Sequence, residues 1–109
     1  MIEPDLIPHV AARFKALGDP GRLALLSALQ GGEKSVGELV EATGRGQPNV
    51  SQQLAALHRS GLVAPRREGN HVYYRIADPY VVRICDAVCL SLGRQGARPR
   101  GRRREVVRG

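Results

Sequence analysis

The run SVGELVEATGRGQPNVSQQLAALHRSG, residues 35–61, decides the fold. Its opening residues Ser35-Val36-Gly37-Glu38 have the spacing of a capping box: the serine hydroxyl accepts from an early amide and the glutamate reaches back to the cap. A short helix follows, burying Val36, Leu39 and Val40 and stopping at Gly44. After only Gly44-Arg45-Gly46, a second helix runs from about Gln47 to Ser60. Val50, Leu54 and Leu57 form its apolar stripe and Gly61 ends it. Two helices joined by a tight, glycine-containing turn make a helix-turn-helix pattern.

Upstream, Leu6 to Leu17 carries Val10, Phe14 and Leu17 at helical spacing, and Gly18 supplies a stop. Asp19-Pro20 restarts the chain with a cap residue and a proline in the first turn, where its missing donor is harmless. Leu23, Leu26 and Leu29 line one side of that helix, with Leu25 beside them, until Gly31-Gly32. Downstream, Leu62 to Arg67 and His71 to Ile76 are β-prone and flank the turn Glu68-Gly69-Asn70. Val72, Tyr74 and Ile76 alternate with His71, Tyr73 and Arg75, the pattern of a half-buried strand. A two-stranded hairpin alone is marginal in water, so this one must lean on the helices. Asp78-Pro79 opens a last helix, through about Leu92. The expectation is a mainly α fold with a small β-hairpin wing (α+β), a winged helix-turn-helix.

The chain has 109 residues, one small domain, which excludes a large multidomain enzyme. Lys and Arg number 17 against 10 acidic residues, a formal charge of +7. Residues 94–109 hold seven Arg and one Glu, so +6 sits there and +1 on residues 1–93. Within residues 45–75 the balance is +4. Positive charge in the folded part is thus concentrated on the second helix of the motif and the wing, which makes a polyanion the partner to test. The organisation read is a folded domain over 1–93 and a flexible Arg-rich tail over 94–109, too poor in apolar residues to repay ordering. Two cysteines, Cys85 and Cys89, are too few for a disulfide framework. The start, Met1-Ile2-Glu3-Pro4-Asp5, has no signal-peptide character, and no stretch approaches the ~20 apolar residues of a membrane span. A cytoplasmic setting without a membrane partner follows. No nucleophile elbow, phosphate loop, dinucleotide fingerprint or HExxH string occurs, and three scattered His offer no acid–base pair, so an enzyme is not expected.

The order helix, helix, helix-turn-helix, hairpin, helix resembles the ArsR/SmtB family of bacterial winged-helix repressors. The strings that carry the resemblance are Phe14-Lys15-Ala16-Leu17-Gly18-Asp19-Pro20-Gly21-Arg22-Leu23 and Gln47-Pro48-Asn49-Val50-Ser51-Gln52-Gln53-Leu54. Leu57, Gly61-Leu62-Val63, Arg66-Arg67-Glu68-Gly69 and Val72-Tyr73-Tyr74 complete them. The resemblance implies a homodimer paired through first and last helices, which represses transcription from an operator in double-stranded DNA until an inducer binds. Gly46 replaces the serine cap of many relatives, Arg45 an apolar residue, and Gln53 a frequent histidine, so an operator sequence does not transfer.

With the stripe of the second motif helix facing inward, Gln47, Asn49, Ser51, Gln52 and Gln53 lie on or near its outer side. Asn and Gln pair in bidentate fashion with adenine, each contact discriminating by ~1–3 kcal/mol. Arg66, Arg67 and Asn70 at the hairpin tip are placed to meet phosphates or the minor groove; as plain structure, such charges discourage edge-to-edge sheet pairing.

Cys85 and Cys89, four apart on one face of the last helix, are candidate ligands for a soft metal or metalloid inducer, As(III), Sb(III), Cd(II), Pb(II) or Zn(II). In a two-fold dimer four thiols would lie near one seam. No cofactor is needed for DNA binding itself. The alternatives are inert packing beside Val81, Val82, Val88 and Leu92, and redox or sulfide sensing by the same thiols. The arsenic-type cysteine pair is absent near Val36 to Val40. For the zinc-type pair opening the last helix, Asp78 matches but Tyr80 stands where His belongs. A reading from another class is a non-specific nucleic-acid-binding module driven by the Arg tail.

Overall fold

The computed structural model describes residues 1–94. All of the Arg-rich tail except Arg94 lies outside the described residues. The chain divides into one compact unit of residues 1–79 and a second beginning at Tyr80.

In the first unit a 3-10 turn, Pro4–Leu6, leads into α1 (Ile7–Leu17) and α2 (Pro20–Leu29). Asp19 caps α2 as read, accepting a 3.0 Å bond from the Arg22 amide. The inward face of α2 differs from the expectation: Gly21, Leu25, Leu26 and Leu29 are buried, while Leu23 is exposed. The reason is Gly21. A Cβ there would stand 3.1 Å from Asp19 Oδ2, 3.2 Å from Arg45 Nη1 and 3.3 Å from Gln53 Nε2. Close approach at position 21 carries the buried face through 21, 25 and 29 and turns Leu23 outward. In α1 only Leu17 is buried; Phe14, at helical spacing with it, is exposed.

The expected two-stranded hairpin is the larger part of a three-stranded antiparallel sheet. Lys34–Ser35 forms a short strand β1, and β2 (Val63–Glu68) and β3 (His71–Ile76) form the hairpin, in spatial order β1-β3-β2. Register runs from Val63 opposite Ile76 to Glu68 opposite His71, and β1 pairs Lys34 with Tyr74 and Ser35 with Tyr73. A strand of two residues has no periodicity to read, which is why it is invisible in the sequence. It supplies the support the hairpin needs. Gly69, at φ 60°, occupies the first position of the hairpin loop, a conformation closed to residues with a Cβ in ordinary cases.

Ser35 also caps α3 (Val36–Thr43), and the capping box is complete: the Glu38 amide donates to Ser35 Oγ at 3.1 Å and the Ser35 amide to Glu38 Oε1 at 2.8 Å. Gly44, left-handed at φ 71°, ends the helix. After Arg45 and Gly46, α4 (Gln47–Arg59) begins, with Pro48 in its first turn. Leu25, Leu29, Leu39, Val50, Leu54, Leu57, Leu62 and Val63 form the core of this unit, none more than 3% exposed. α5 (Pro79–Arg94) continues past Gly93, slightly beyond the expected end near Leu92.

Candidate nucleic-acid interface and thiol pair

Val50, Leu54 and Leu57 bind α4 to the core as the stripe required. By helical spacing Gln52 projects opposite that stripe, Asn49 and Ser51 flank it and Gln47 stands in the first turn, all exposed and none held by an intramolecular side-chain hydrogen bond. Their donors and acceptors are uncommitted, as groups that read base edges must be.

Gln53 behaves differently. It sits on the shoulder of the stripe, half-buried, and both ends of its amide are spent. Nε2 donates to Asp19 Oδ2 at 3.1 Å, and Oε1 accepts from Arg22 Nη1 at 3.0 Å. Gln53 thus ties the reading helix to the start of α2, and the structure does not bring it to the exposed row. Arg22 extends the tie, donating from Nε to the Ala16 carbonyl at 2.6 Å and from Nη2 to the Lys15 carbonyl at 3.3 Å. Those carbonyls belong to the last turn of α1, beyond the regular helical ladder; that of Lys15 also accepts from the Gly18 amide at 3.2 Å. One guanidinium therefore joins α1, α2 and α4. Sequence reasoning noted Asp19 as a helix cap, and Gly21 and Arg22 only as parts of a family string; a glycine next to a cation in the first turn of α2 was the available signal.

The wing divides in the same way. Arg67 and Asn70 are exposed and uncommitted. Arg66 is engaged: Nε and Nη2 grip Glu33 at 2.9 and 2.7 Å, Nη1 reaches Glu68 at 2.5 Å, and the guanidinium lies 5.0 Å from the Tyr73 ring centre. The hydrogen bond from Arg66 holds the Glu33 carboxyl below its ordinary range, and Glu33 and Glu68 hold Arg66 firmly protonated. Arg66 pins the wing to the segment before β1, while Arg67 on β2, like Arg75 on β3, is exposed and in no ion pair among the described residues.

On α5, Cys85 is half-buried and Cys89 exposed, one turn apart and not in a disulfide. Burial, then the neighbouring Cys89 and Asp86, pushes the Cys85 thiol above its ordinary value. Val88 and Leu92, both exposed, share that face by helical spacing. Among the described residues no group of three or more His, Cys, Asp or Glu is assembled for a metal, so the two thiols are what one chain brings together. Asp78, the match to the zinc-type position, is ion-paired with Arg13 at 2.5 Å. His9 is exposed in α1 and His58 near the end of α4. No helix among the described residues is long and apolar enough to cross a membrane.

A helix-turn-helix backed by a three-stranded wing, with a free polar row on its second helix, defines a winged-helix DNA-binding protein. Residues 19–64 match the family model described as bacterial regulatory protein, arsR family. The chain is 42% identical over 80 residues to the biofilm growth-associated repressor of Xylella fastidiosa, covering 73% of this chain and 70% of that one. It is 42% identical over 85 residues to a probable mercury resistance operon repressor of Streptomyces lividans, covering 77% and 66%. Among solved structures, a homodimeric winged helix-turn-helix domain of a possible ArsR-family regulator from Mycobacterium bovis superposes with a TM-score of 0.75 at 38% identity, covering 84% of each chain. The chain belongs to the ArsR family of bacterial regulatory proteins. It is a DNA-binding transcriptional regulator and not an enzyme.

Proposed function

We propose that the protein is a cytoplasmic, homodimeric repressor that holds operator DNA through α4 and the wing and releases it when a soft metal or metalloid ion engages Cys85 and Cys89. The observation that carries the DNA reading is the uncommitted set Gln47, Asn49, Ser51 and Gln52, exposed on the helix that a fully buried stripe holds to the core. Arg67 and Asn70 on the wing add contacts to the backbone or minor groove. Gln53 and Arg66, expected to touch DNA, serve instead to position the helix and wing that do.

The inducer reading rests on where the thiols lie. Cys85, Val88, Cys89 and Leu92 share one face of α5, a stripe of apolar groups and thiols that a second copy would cover. α1 likewise exposes Ile7 and Phe14, seven apart on one side. Pairing through the first and last helices would bring four thiols to a two-fold seam, enough to close the shell of As(III), Sb(III), Cd(II), Pb(II) or Zn(II). Hg(II), the metal in the name of the Streptomyces relative, has the same preference for thiolate. An inducer must bind the low-affinity conformer better, with coupling of ~1–3 kcal/mol per event.

The test is a competition band-shift on the upstream promoter DNA, with each ion and an oxidant tested in parallel. Release by the ions from wild type, and none from Cys85→Ser/Cys89→Ser, is the expected result. Release from the double variant by the same ions refutes the thiol assignment. Affinity that weakens equally on operator and random duplex as salt rises would instead identify a sequence-blind binder.

A further inference from the structure

We propose that the cleft between α1, α2 and the C-terminal turn of α4 is a binding site for a small free anion, a carboxylate or a phosphate, gripped by Lys15, Arg22 and Arg59. The cavity measures about 250 Å³; these three cations, Ser60 and three alanines line it. That volume lies just under the ~300–1,000 Å³ of ordinary small-molecule pockets, the size for a small anion rather than a large cofactor.

Charge selects the ligand class. The lining holds three cations and no carboxylate, and among the described residues none of the three is in an ion pair. Asp19, the acid nearest Arg22 in sequence, accepts from the Arg22 backbone amide and from Gln53, not from the guanidinium. Arg22 is half-buried, and its three acceptors, the Lys15 and Ala16 carbonyls and Gln53 Oε1, are all neutral. Two of its five N–H groups remain for a ligand. A partly desolvated cation without a counter-charge is unfavourable, and an anion in the cleft relieves it. The hydroxyl of Ser60, uncommitted to any side-chain bond, completes the donors.

Position separates this site from the DNA-reading row. Arg59 and Ser60 stand at the end of α4 opposite Gln47, and a helix of 13 residues spans roughly 20 Å. The occupant is therefore a diffusible anion rather than an operator phosphate. Its consequence rests on the repressor reading above. Arg22 holds one end of the Gln53 amide and Asp19 the other, so an anion drawing the guanidinium into the cleft removes one of the two bonds that set α4 against α2.

The experiment is an NMR titration of the full chain, without DNA or metal, with inorganic phosphate and with succinate, and with chloride at matched ionic strength as the control. Expected are saturable shifts of the Arg22 Nε–H and Gln53 side-chain amide signals, tighter for whichever anion class the site prefers. Lys15→Gln/Arg59→Gln, which alters two exposed side chains and leaves the Arg22 bonds in place, should weaken binding about ten-fold or more. Shifts that do not saturate, that chloride reproduces, or that the double variant leaves unchanged overturn the site. Promoter-DNA affinity, measured at constant ionic strength, should then fall several-fold with the tighter anion. Saturable binding that leaves DNA affinity untouched overturns the regulatory half. Because the titration contains neither DNA nor thiol ligand, failure of the repressor reading and failure of this site are distinguishable.

Discussion

Asn49 and Gln53 are four residues apart on one helix and have the same amide chemistry, yet they do different work. Asn49 is exposed and unbonded, and Asn49→Ala should relax preference at one base position by about 1–3 kcal/mol while leaving the salt dependence intact. Gln53→Ala should act on the fold first. It removes one partner each from Arg22 and Asp19, and urea unfolding should show a loss of about 1–3 kcal/mol without altered base preference. A Gln53→Ala protein of full stability and changed preference would restore that residue to the reading face. The cysteines also divide by environment. Cys89 is exposed and Cys85 is half-buried with a raised thiol, so iodoacetamide should modify Cys89 first near neutral pH, with Cys85 following as pH rises through its elevated value. Equal rates at neutral pH would contradict the placement.

Among the elements, the wing depends on tertiary support that its own strands do not supply. β1 adds the third strand, and the Glu33–Arg66–Glu68 cluster ties β2 to the segment before β1. The Glu33 carboxyl is held below its ordinary value of 4.5. Its folded pKa being the lower one, the stabilisation is present above about pH 4.5 and lost as pH falls through the folded value. The wing should therefore hold at neutral pH and loosen only on acidification, followed by the Arg66 Nε–H and Tyr73 ring signals. Glu33→Gln should show the loosened signals already at pH 7; signals insensitive to that change would show the clamp to be idle. Much at this level was legible. The capping box at Ser35, the Asp19 cap, the glycine stops and the alternation in β3 are local signals that follow from backbone chemistry, and each element appears where they put it. β1 was not legible because two residues carry no pattern. The burial of Leu25 in place of Leu23 was not legible because periodicity gives the spacing of a face, not its rotation about the helix axis.

For the whole molecule, the formal +7 overstates what the described residues offer DNA, since most of it lies in residues 94–109 and Arg66 is neutralised by two carboxylates. Deleting residues 94–109 should flatten the salt dependence of binding yet preserve preference for operator over random duplex. Loss of preference would place the reader outside α4. If α1 and α5 are the dimer helices, Phe14→Glu or Val88→Glu should shift sedimentation toward monomer and lower operator affinity together. A dimer unchanged by both would move the seam elsewhere. The sequence was enough to identify a helix-turn-helix with a wing and to place positive charge on it, because apolar spacing, caps and glycine stops act over a few residues. Which polar side chains stay free for DNA depended on the folded state. Gln53 and Arg66 resemble their exposed neighbours until Asp19, Arg22 and Glu33, more than 30 positions distant, are brought beside them. A hydrogen bond between residues so far apart leaves no periodic trace in the chain, and it forms only when the core has closed.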